Sequence, residues 1–142
     1  MGKKIELEAS DGHRLDAYVA EPAGKPRGAI VVIQEIFGVN SHIRAVADGY
    51  AKDGYLAVAP ALYDRVQRKY ETGYSQDEIQ AGIAVRGKIT NEQALADTQA
   101  AIDYARQGGK VGIVGYCWGG TIAWLHSICL RISSPAWISG CV

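Results

Sequence analysis

The chain has 142 residues and no net formal charge at pH 7, with 15 basic and 15 acidic residues. Hydrophobic residues make up 48% of it and charged residues 21%, a balance that is typical of one folded domain and argues against disorder. Because the charges balance, there is no electrostatic reason to expect binding to nucleic acid or to an anionic membrane.

Targeting signals and cysteine usage predict a cytoplasmic protein. The N-terminus, MGKKIELEAS, lacks the apolar segment of a signal peptide, and the apolar run Ala29–Ile33 is too short to cross a membrane. Cys117, Cys129 and Cys141 are an odd number of cysteines without C-x-x-C spacing. We therefore expect free thiols in a reducing compartment, and neither a disulfide framework nor a metal site.

The first thirty residues predict a β-hairpin followed by a buried strand. Residues 4–9 and Arg14–Ala20 alternate polar and apolar residues, and Asp11-Gly12 supplies a turn between them. After a loop at residues 22–28, the β-branched run Ala29–Ile33 is typical of a strand buried on both faces.

The next segment changes to helical spacing and then returns to a strand. Apolar residues recur every three or four positions from Ser41, which is a predicted N-cap, and Gly54 is a predicted stop. Residues 55–59 form another buried run that ends at Pro60. Strand, helix and strand in this order indicate a parallel sheet with a right-handed crossover.

Two further helices are predicted before the last clear strand. Residues 64–88 are charged and rich in tyrosine, and we interpret them as a loop followed by a helix over Gln76–Arg86. A capping-box pattern at residues 90–93 opens a second helix, which ends at Gly108-Gly109. The fold class is thus α/β, a mostly parallel sheet with an N-terminal hairpin and helices on both faces.

The strongest chemical signal is G-Y-C-W-G-G between a buried strand at residues 110–116 and an apolar helix at residues 121–131. It matches the G-x-nucleophile-x-G elbow of hydrolases. In so sharp a turn, side chains two positions before and after the nucleophile would collide, which explains glycine at Gly115 and Gly119, followed by Gly120.

Cys117 stands where serine hydrolases have the nucleophilic serine. The N-terminus of the following helix favours a thiolate, and the backbone N–H of Trp118 would point at a developing oxyanion. We expect Cys117 to react faster with thiol reagents than the other two cysteines.

The ordinary alternative to an elbow is a buried cysteine in a glycine-rich turn. A dinucleotide site needs G-x-G-x-x-G and a following acidic residue, whereas the glycines here stand at 112, 115, 119 and 120. A phosphate-binding loop needs Gly-Lys-Ser/Thr, which is absent from the sequence.

A second candidate element, Q-E-I-F-G-V-N, follows the buried strand Ala29–Ile33. It places Glu35 at the carboxyl end of that strand, where ligands bind in open α/β sheets, and the Ile36 amide could be a second oxyanion donor. We expect Glu35 to lie within about 8 Å of Cys117. The alternative is an ordinary surface carboxylate.

Three segments together resemble the dienelactone hydrolase family: residues 34–40 (QEIFGVN), residues 59–63 (APALY) and residues 110–120 (KVGIVGYCWGG). The resemblance extends from the start of the chain to about Leu125. It implies an α/β-hydrolase fold and hydrolysis of a small ester or lactone without metal or cofactor.

The resemblance also implies roles for individual residues. Cys117 matches the family's nucleophile, and Glu35 matches the carboxylate that holds the resting thiol and shifts when substrate binds. Ile36 and Trp118 match the donors of the oxyanion hole.

Two features depart from the family. Ala81 stands where the dienelactone enzyme has a carboxylate-binding arginine, for which Arg86 or Arg65 could substitute. After Cys117 the sequence has no Asp or Glu to continue a nucleophile–Asp–His triad, and its one later histidine is His126. Nine residues along the same helix, His126 lies more than two turns from the elbow.

The earlier histidines, His13 and His42, are interpreted as ordinary surface residues. From residue 126 the resemblance fades, so we divide the chain into residues 1–125, the N-terminal part of a hydrolase domain, and an atypical tail at residues 126–142. We expect a truncated or frameshifted product; the alternative is a divergent terminus.

The sequence leaves three functions open. The first is hydrolysis of an ester or lactone through a Cys117 acyl-enzyme, impaired by the missing Asp and His. The others are a non-catalytic truncated remnant or interaction module, and a redox-sensitive thiol protein. The last strand would expose an unpaired edge and promote self-association, unless residues 136–142 fold back onto it.

Overall fold

The computed structural model describes residues 2–129 and 138–139. The described strands are β1 (Lys3–Glu8), β2 (Arg14–Ala20), β3 (Ala29–Ile33), β4 (Leu56–Pro60), β5 (Val111–Gly115) and β6 (Ile138–Ser139). The described helices are α1 (Ser41–Lys52), α2 (Gln76–Arg86), α3 (Asn91–Ala105) and α4 (Trp118–Cys129). Short 3₁₀ turns at Leu62–Arg65 and Arg106–Gly108 follow β4 and α3.

The described strands form one sheet in the order β1-β2-β4-β3-β5-β6. The hairpin β1–β2 is antiparallel and joins β4 in antiparallel register, whereas β4, β3, β5 and β6 run parallel. The predicted α/β class with a hairpin and a parallel centre is confirmed. Since parallel strands end at one edge of the sheet, the loops after β3, β4 and β5 meet there.

Helices cover both faces of the sheet, as predicted. Alternate residues of β3 show this, because Val31 and Ile33 pack in one buried cluster and Val32 packs in the other. The first cluster includes residues of α2, α3 and α4, and the second includes residues of α1. Both faces of β3 are buried, which accounts for its unbroken apolar sequence.

Helix starts that depend on local hydrogen bonds were predicted well. Helix α2 has the predicted bounds, with a capping box between Ser75 and Glu78, and Thr90 and Gln93 form the predicted capping box of α3. The N-cap of α1 was wrong. It is Asn40, whose side chain accepts from the Ile43 amide, and Ser41 is the first helical residue.

The helix after the elbow also begins earlier than predicted. Helix α4 starts at Trp118 rather than Thr121, because the amides of Gly120 and Thr121 already bond to the Cys117 carbonyl, at 3.0 and 3.4 Å. The predicted strand at residues 55–59 is shifted by one residue, to Leu56–Pro60.

The expected open edge of β5 is partly wrong. Ile113 and Val114 pair in parallel with Ile138 and Ser139, so the tail supplies a short neighbouring strand. The rest of the predicted segment 136–142 lies outside the described residues, as does the end of the helix predicted to reach Arg131. Within residues 2–129 and 138–139, no helix is both long and apolar enough to traverse a bilayer.

Candidate active site

The turn between β5 and α4 has the geometry of an elbow. Cys117 has a φ of 54°, in the left-handed region that side-chain-bearing residues seldom adopt. A Cβ on Gly115 would overlap the Gly119 carbonyl, and a Cβ on Gly119 would lie 2.5 Å from the Ile33 oxygen. The predicted collision across the turn therefore holds for Gly115, whereas Gly119 must be small for another reason, the close approach of the backbone at the end of β3.

The turn presents Cys117 at the surface, where it is exposed at the N-terminus of α4. Cys117 directly precedes the first residue of α4 and therefore stands at the positive end of the helix dipole. The ordinary alternative, a buried cysteine, does not fit this exposure.

The backbone amides of Ile36 and Trp118, like those of Glu35 and Cys117, donate to no acceptor within the described part of the chain. Both residues border the contact between the two loops, where Gly119 lies against the carbonyls of Ile33 and Gln34. The amides of Ile36 and Trp118 are thus free to donate to a bound oxyanion, and this role remains a prediction.

Glu35 and Cys117 occupy equivalent positions on adjacent strands. Ile33 of β3 pairs with Gly115 of β5, and each candidate residue lies two positions beyond its paired residue. Among the described residues, the Glu35 carboxylate accepts a hydrogen bond from the Tyr74 hydroxyl at 3.4 Å and none from Cys117. A direct contact between the carboxylate and the thiol remains a prediction.

Gln34 is a site residue that sequence reasoning overlooked. Its side chain is fully buried and accepts from the Leu62 amide at 3.0 Å, while its Nε2 donates to the Glu35 carbonyl at 3.1 Å. It thus ties the loop after β3 to the loop after β4. A fixed amide next to Glu35 holds the backbone that carries the Ile36 N–H. The available signal was a glutamine directly after an apolar strand.

Tyr63, in the A-P-A-L-Y segment, is buried next to the elbow residue Trp118. Its ring lies 5.6 Å from that of Trp118, and its hydroxyl donates to the Gly82 carbonyl at 3.1 Å. Burial raises the pKa of the Tyr63 hydroxyl, and a charge on Cys117 adds to that increase. Tyr63 therefore links α2 to the nucleophile turn and stays neutral at ordinary pH.

The structure rules out Arg65 as a substitute for the missing carboxylate-binding arginine. Its guanidinium is buried and pairs with Asp97 through two bonds of 2.8 and 2.9 Å and with Asp11 at 2.7 Å. Arg86 on α2 is exposed and has no ion pair among the described residues.

None of the histidines completes a triad with Cys117 in the described structure. His126 lies in α4, nine residues after Cys117, which corresponds to about 13 Å along a helix, and burial lowers its pKa. His42 is exposed, with its ring 6.3 Å from that of Tyr116. His13 was wrongly interpreted as a surface residue, because it is half-buried and its Nε2 atom is enclosed without a partner among the described residues.

Comparison with known proteins settles the family. The dienelactone hydrolase family model matches residues 15–133 of the chain. The chain belongs to the dienelactone hydrolase family. It is 42% identical over 127 residues to carboxymethylenebutenolidases of Pseudomonas putida and Pseudomonas knackmussii, a match that covers 85% of this chain and 53% of either relative.

A solved structure supports the same conclusion. The chain superposes with a TM-score of 0.69 and 34% identity on a Klebsiella pneumoniae protein named "Putative Dienelactone Hydrolase", covering 89% of this chain and 54% of that one. The family match extends past the predicted boundary at residue 125, which helix α4 also crosses. The chain spans about half the length of the curated relatives it matches.

Proposed function

We propose that this member of the dienelactone hydrolase family reacts with small carboxylic esters or lactones through a Cys117 acyl-enzyme. The observation that carries the proposal is the elbow, in which an exposed cysteine with positive φ precedes α4 between two closely packed glycines. The curated Pseudomonas relatives, named carboxymethylenebutenolidases, support the substrate class.

The proposed chemistry is acyl transfer. The Cys117 thiolate adds to the ester carbonyl and forms a tetrahedral oxyanion, to which the amides of Ile36 and Trp118 donate. Collapse of this intermediate breaks the carbon–oxygen bond and expels an alkoxide, which takes a proton from water. In a lactone the expelled alkoxide remains attached to the acyl group.

The second half of hydrolysis requires a base for the attacking water. Asp and Glu are absent from the sequence after Cys117, and His126 is about two and a half turns away along α4. We therefore infer that this chain accumulates the acyl-enzyme and deacylates slowly. Loss of triad members typically removes several powers of ten in rate and leaves oxyanion-hole and binding effects.

The test is a stopped-flow and mass-spectrometric assay with p-nitrophenyl acetate. We expect a burst of nitrophenol close to one equivalent per chain, with the acetyl group mapped to Cys117, and little turnover afterwards. Cys117→Ala should abolish the burst. Cys129→Ala is the matched control, because it removes a thiol elsewhere and should leave the burst intact.

Two results would contradict the proposal. A burst that survives Cys117→Ala would remove the acyl-enzyme. Sustained turnover that depends on Cys117 would show that a base is present, and His42→Ala would then test the exposed histidine whose ring lies 6.3 Å from that of Tyr116.

One alternative has an observation in its favour. Because Cys117 is exposed and precedes a helix, peroxide could oxidise its thiolate to a sulfenic acid. Peroxide-dependent modification without any acetyl burst would favour the redox-sensitive thiol protein. The cytoplasmic location, the lack of nucleic-acid or membrane partners and self-association remain predictions from the sequence, as does the non-catalytic interaction module.

A further inference from the structure

We propose that helix α2 supports the oxyanion hole, and that Gly82 and Tyr63 are the positioning residues that seat the helix there. Gly82 lets α2 lie directly against the backbone carbonyl of Ile36, and the Tyr63 hydroxyl holds the helix at that place. The inference rests on the proposed function in one respect, the assignment of the Ile36 amide to the oxyanion.

The contact between α2 and the loop that follows β3 is a close approach of backbone to backbone. A Cβ on Gly82 would overlap the carbonyl oxygen of Ile36, and it would lie 3.2 and 3.5 Å from the carbonyl carbon and the Cβ of the same residue. Contacts of a real Cβ are ordinary only from 3.4 Å upward, so there is no space for a side chain between the helix and the loop. Glycine at position 82 is therefore what permits the observed approach.

Tyr63 fixes α2 in this position. Its hydroxyl donates to the Gly82 carbonyl at 3.1 Å, and its buried ring lies 5.6 Å from the ring of Trp118. Of the 11 residues of α2 only Gly82 and Val85 are buried, so the helix has little apolar contact of its own with the core. A helix with so small a buried face depends on specific polar contacts for its placement. Tyr63 supplies one of them, and it also contacts the residue that carries the second oxyanion donor.

The two peptide groups on either side of the Ile36 α-carbon are both held. The carbonyl of Glu35 belongs to the same planar peptide as the Ile36 N–H, and it accepts a hydrogen bond from Gln34 Nε2 at 3.1 Å. The carbonyl of Ile36 belongs to the next peptide and lies against Gly82. Because these two peptides share one α-carbon, holding both restricts the φ and ψ of Ile36 and thus the direction of its N–H. Helix α2 supplies the half of this restraint that Gln34 does not.

The direction of the Ile36 N–H matters for acyl transfer and not for simple alkylation of the thiol. An oxyanion forms only when the Cys117 thiolate adds to a carbonyl carbon, so a misdirected amide weakens the stabilisation of that step. With iodoacetamide the same thiolate forms a carbon–sulfur bond and releases iodide, and no oxyanion develops. A general disturbance of the elbow would slow both reactions, whereas a misplaced oxyanion donor slows acyl transfer alone.

The test compares two rates at Cys117, acetylation by p-nitrophenyl acetate and alkylation by iodoacetamide, in the wild-type chain, Gly82→Ala and Tyr63→Phe. The methyl group of Gly82→Ala pushes α2 away from the Ile36 carbonyl, and Tyr63→Phe removes the hydroxyl that holds the helix. Removing one oxyanion donor costs about 10²–10³ in rate, and a displaced donor costs less. We expect acetylation to slow about 10- to 100-fold in Gly82→Ala and about three- to ten-fold in Tyr63→Phe, with alkylation within about two-fold of the wild-type rate.

Gly87→Ala is the matched control, because it adds the same methyl group at the C-cap of α2, where a Cβ lies at ordinary distances of 3.5 and 3.6 Å from its nearest neighbours. Both of its rates should equal those of the wild-type chain. Three results would overturn the proposal: equal slowing of acetylation and alkylation, an unchanged acetylation rate in either variant that folds, or loss of the cooperative unfolding transition in both variants.

The same experiment separates this inference from the proposed function. A wild-type chain that shows no acetyl burst refutes the acyl-enzyme, and the role of α2 falls with it. A wild-type burst whose rate is unaffected by Gly82→Ala and Tyr63→Phe refutes the role of α2 alone and leaves the acyl-enzyme standing.

Discussion

One added methyl group at Gly119 should push the elbow away from the loop that follows β3. In Gly119→Ala, the new Cβ would overlap the Gln34 carbonyl and lie 2.5 and 2.9 Å from the oxygen and carbon of Ile33. Ordinary contacts start near 3.4 Å, so the two loops must move apart by about 1 Å.

A change of side-chain rotamer cannot relieve this overlap, because the three atoms nearest to the new methyl group all belong to the backbone. The same Ile33 pairs with Gly115 at the centre of the sheet, so a shift of 1 Å also strains the ladder between β3 and β5. Overpacking a well-filled site costs about 1–3 kcal/mol, and we expect Gly119→Ala to lie at or above the upper end.

The measurement is urea unfolding followed by far-ultraviolet circular dichroism, together with the acetyl burst. Gly49→Ala is the control, since Gly49 lies inside α1 with open space around it and alanine favours a helix. We expect that control to gain about 0.5–1 kcal/mol in the free energy of unfolding. A Gly119→Ala chain with the wild-type midpoint and burst would refute the close-approach argument.

Asp97→Ala should lower the free energy of unfolding by about 3–5 kcal/mol, because it removes the carboxylate that accepts two hydrogen bonds from the buried Arg65 guanidinium. Urea unfolding measures this loss, and a loss below about 1 kcal/mol would contradict the prediction. His126 should make the fold acid-sensitive: burial lowers its folded pKa, so the stability present above about pH 6.5 is lost as the pH falls, by at most about 1.4 kcal/mol per pH unit. Urea midpoints from pH 7.5 to 5.5 check this, and His126→Leu should flatten the decrease. Finally, Trp124 and Ile128 lie one turn apart on α4 and are 57% and 49% exposed. We expect light scattering to show concentration-dependent association that Trp124→Lys reduces. A stable monomer with a single melting transition above roughly 50 °C would contradict this expectation.

Sequence patterns predicted the elements that local interactions decide. The bounds of α2 and the capping box at Thr90 depend on hydrogen bonds within a few residues, and β3 depends on a run of β-branched side chains. The N-cap of α1 was missed because Asn40 and Ser41 are both good caps, and only the fold chooses between them.

Sequence patterns could not predict features that depend on residues far apart in the chain. Gln34 acquires its role from Leu62, which is 28 positions away, and Arg65 is occupied by Asp97, 32 positions away. Spacing gives no sign of either contact. The early start of α4 was missed for a similar reason, because the positive φ at Cys117 turns the chain directly into the helix.

These long-range contacts explain how the elbow keeps its shape. Gly119 packs against the backbone at the end of β3, and the Gln34 side chain bonds to the loop that follows β4. The carboxyl ends of three neighbouring strands are therefore joined by backbone and amide contacts that all lie within the described residues. The proposed nucleophile and oxyanion donors lie beside this junction, whereas the base proposed to be missing would have to come from elsewhere. Acylation and deacylation should consequently be separable here, and the size of the acetyl burst relative to later turnover measures that separation.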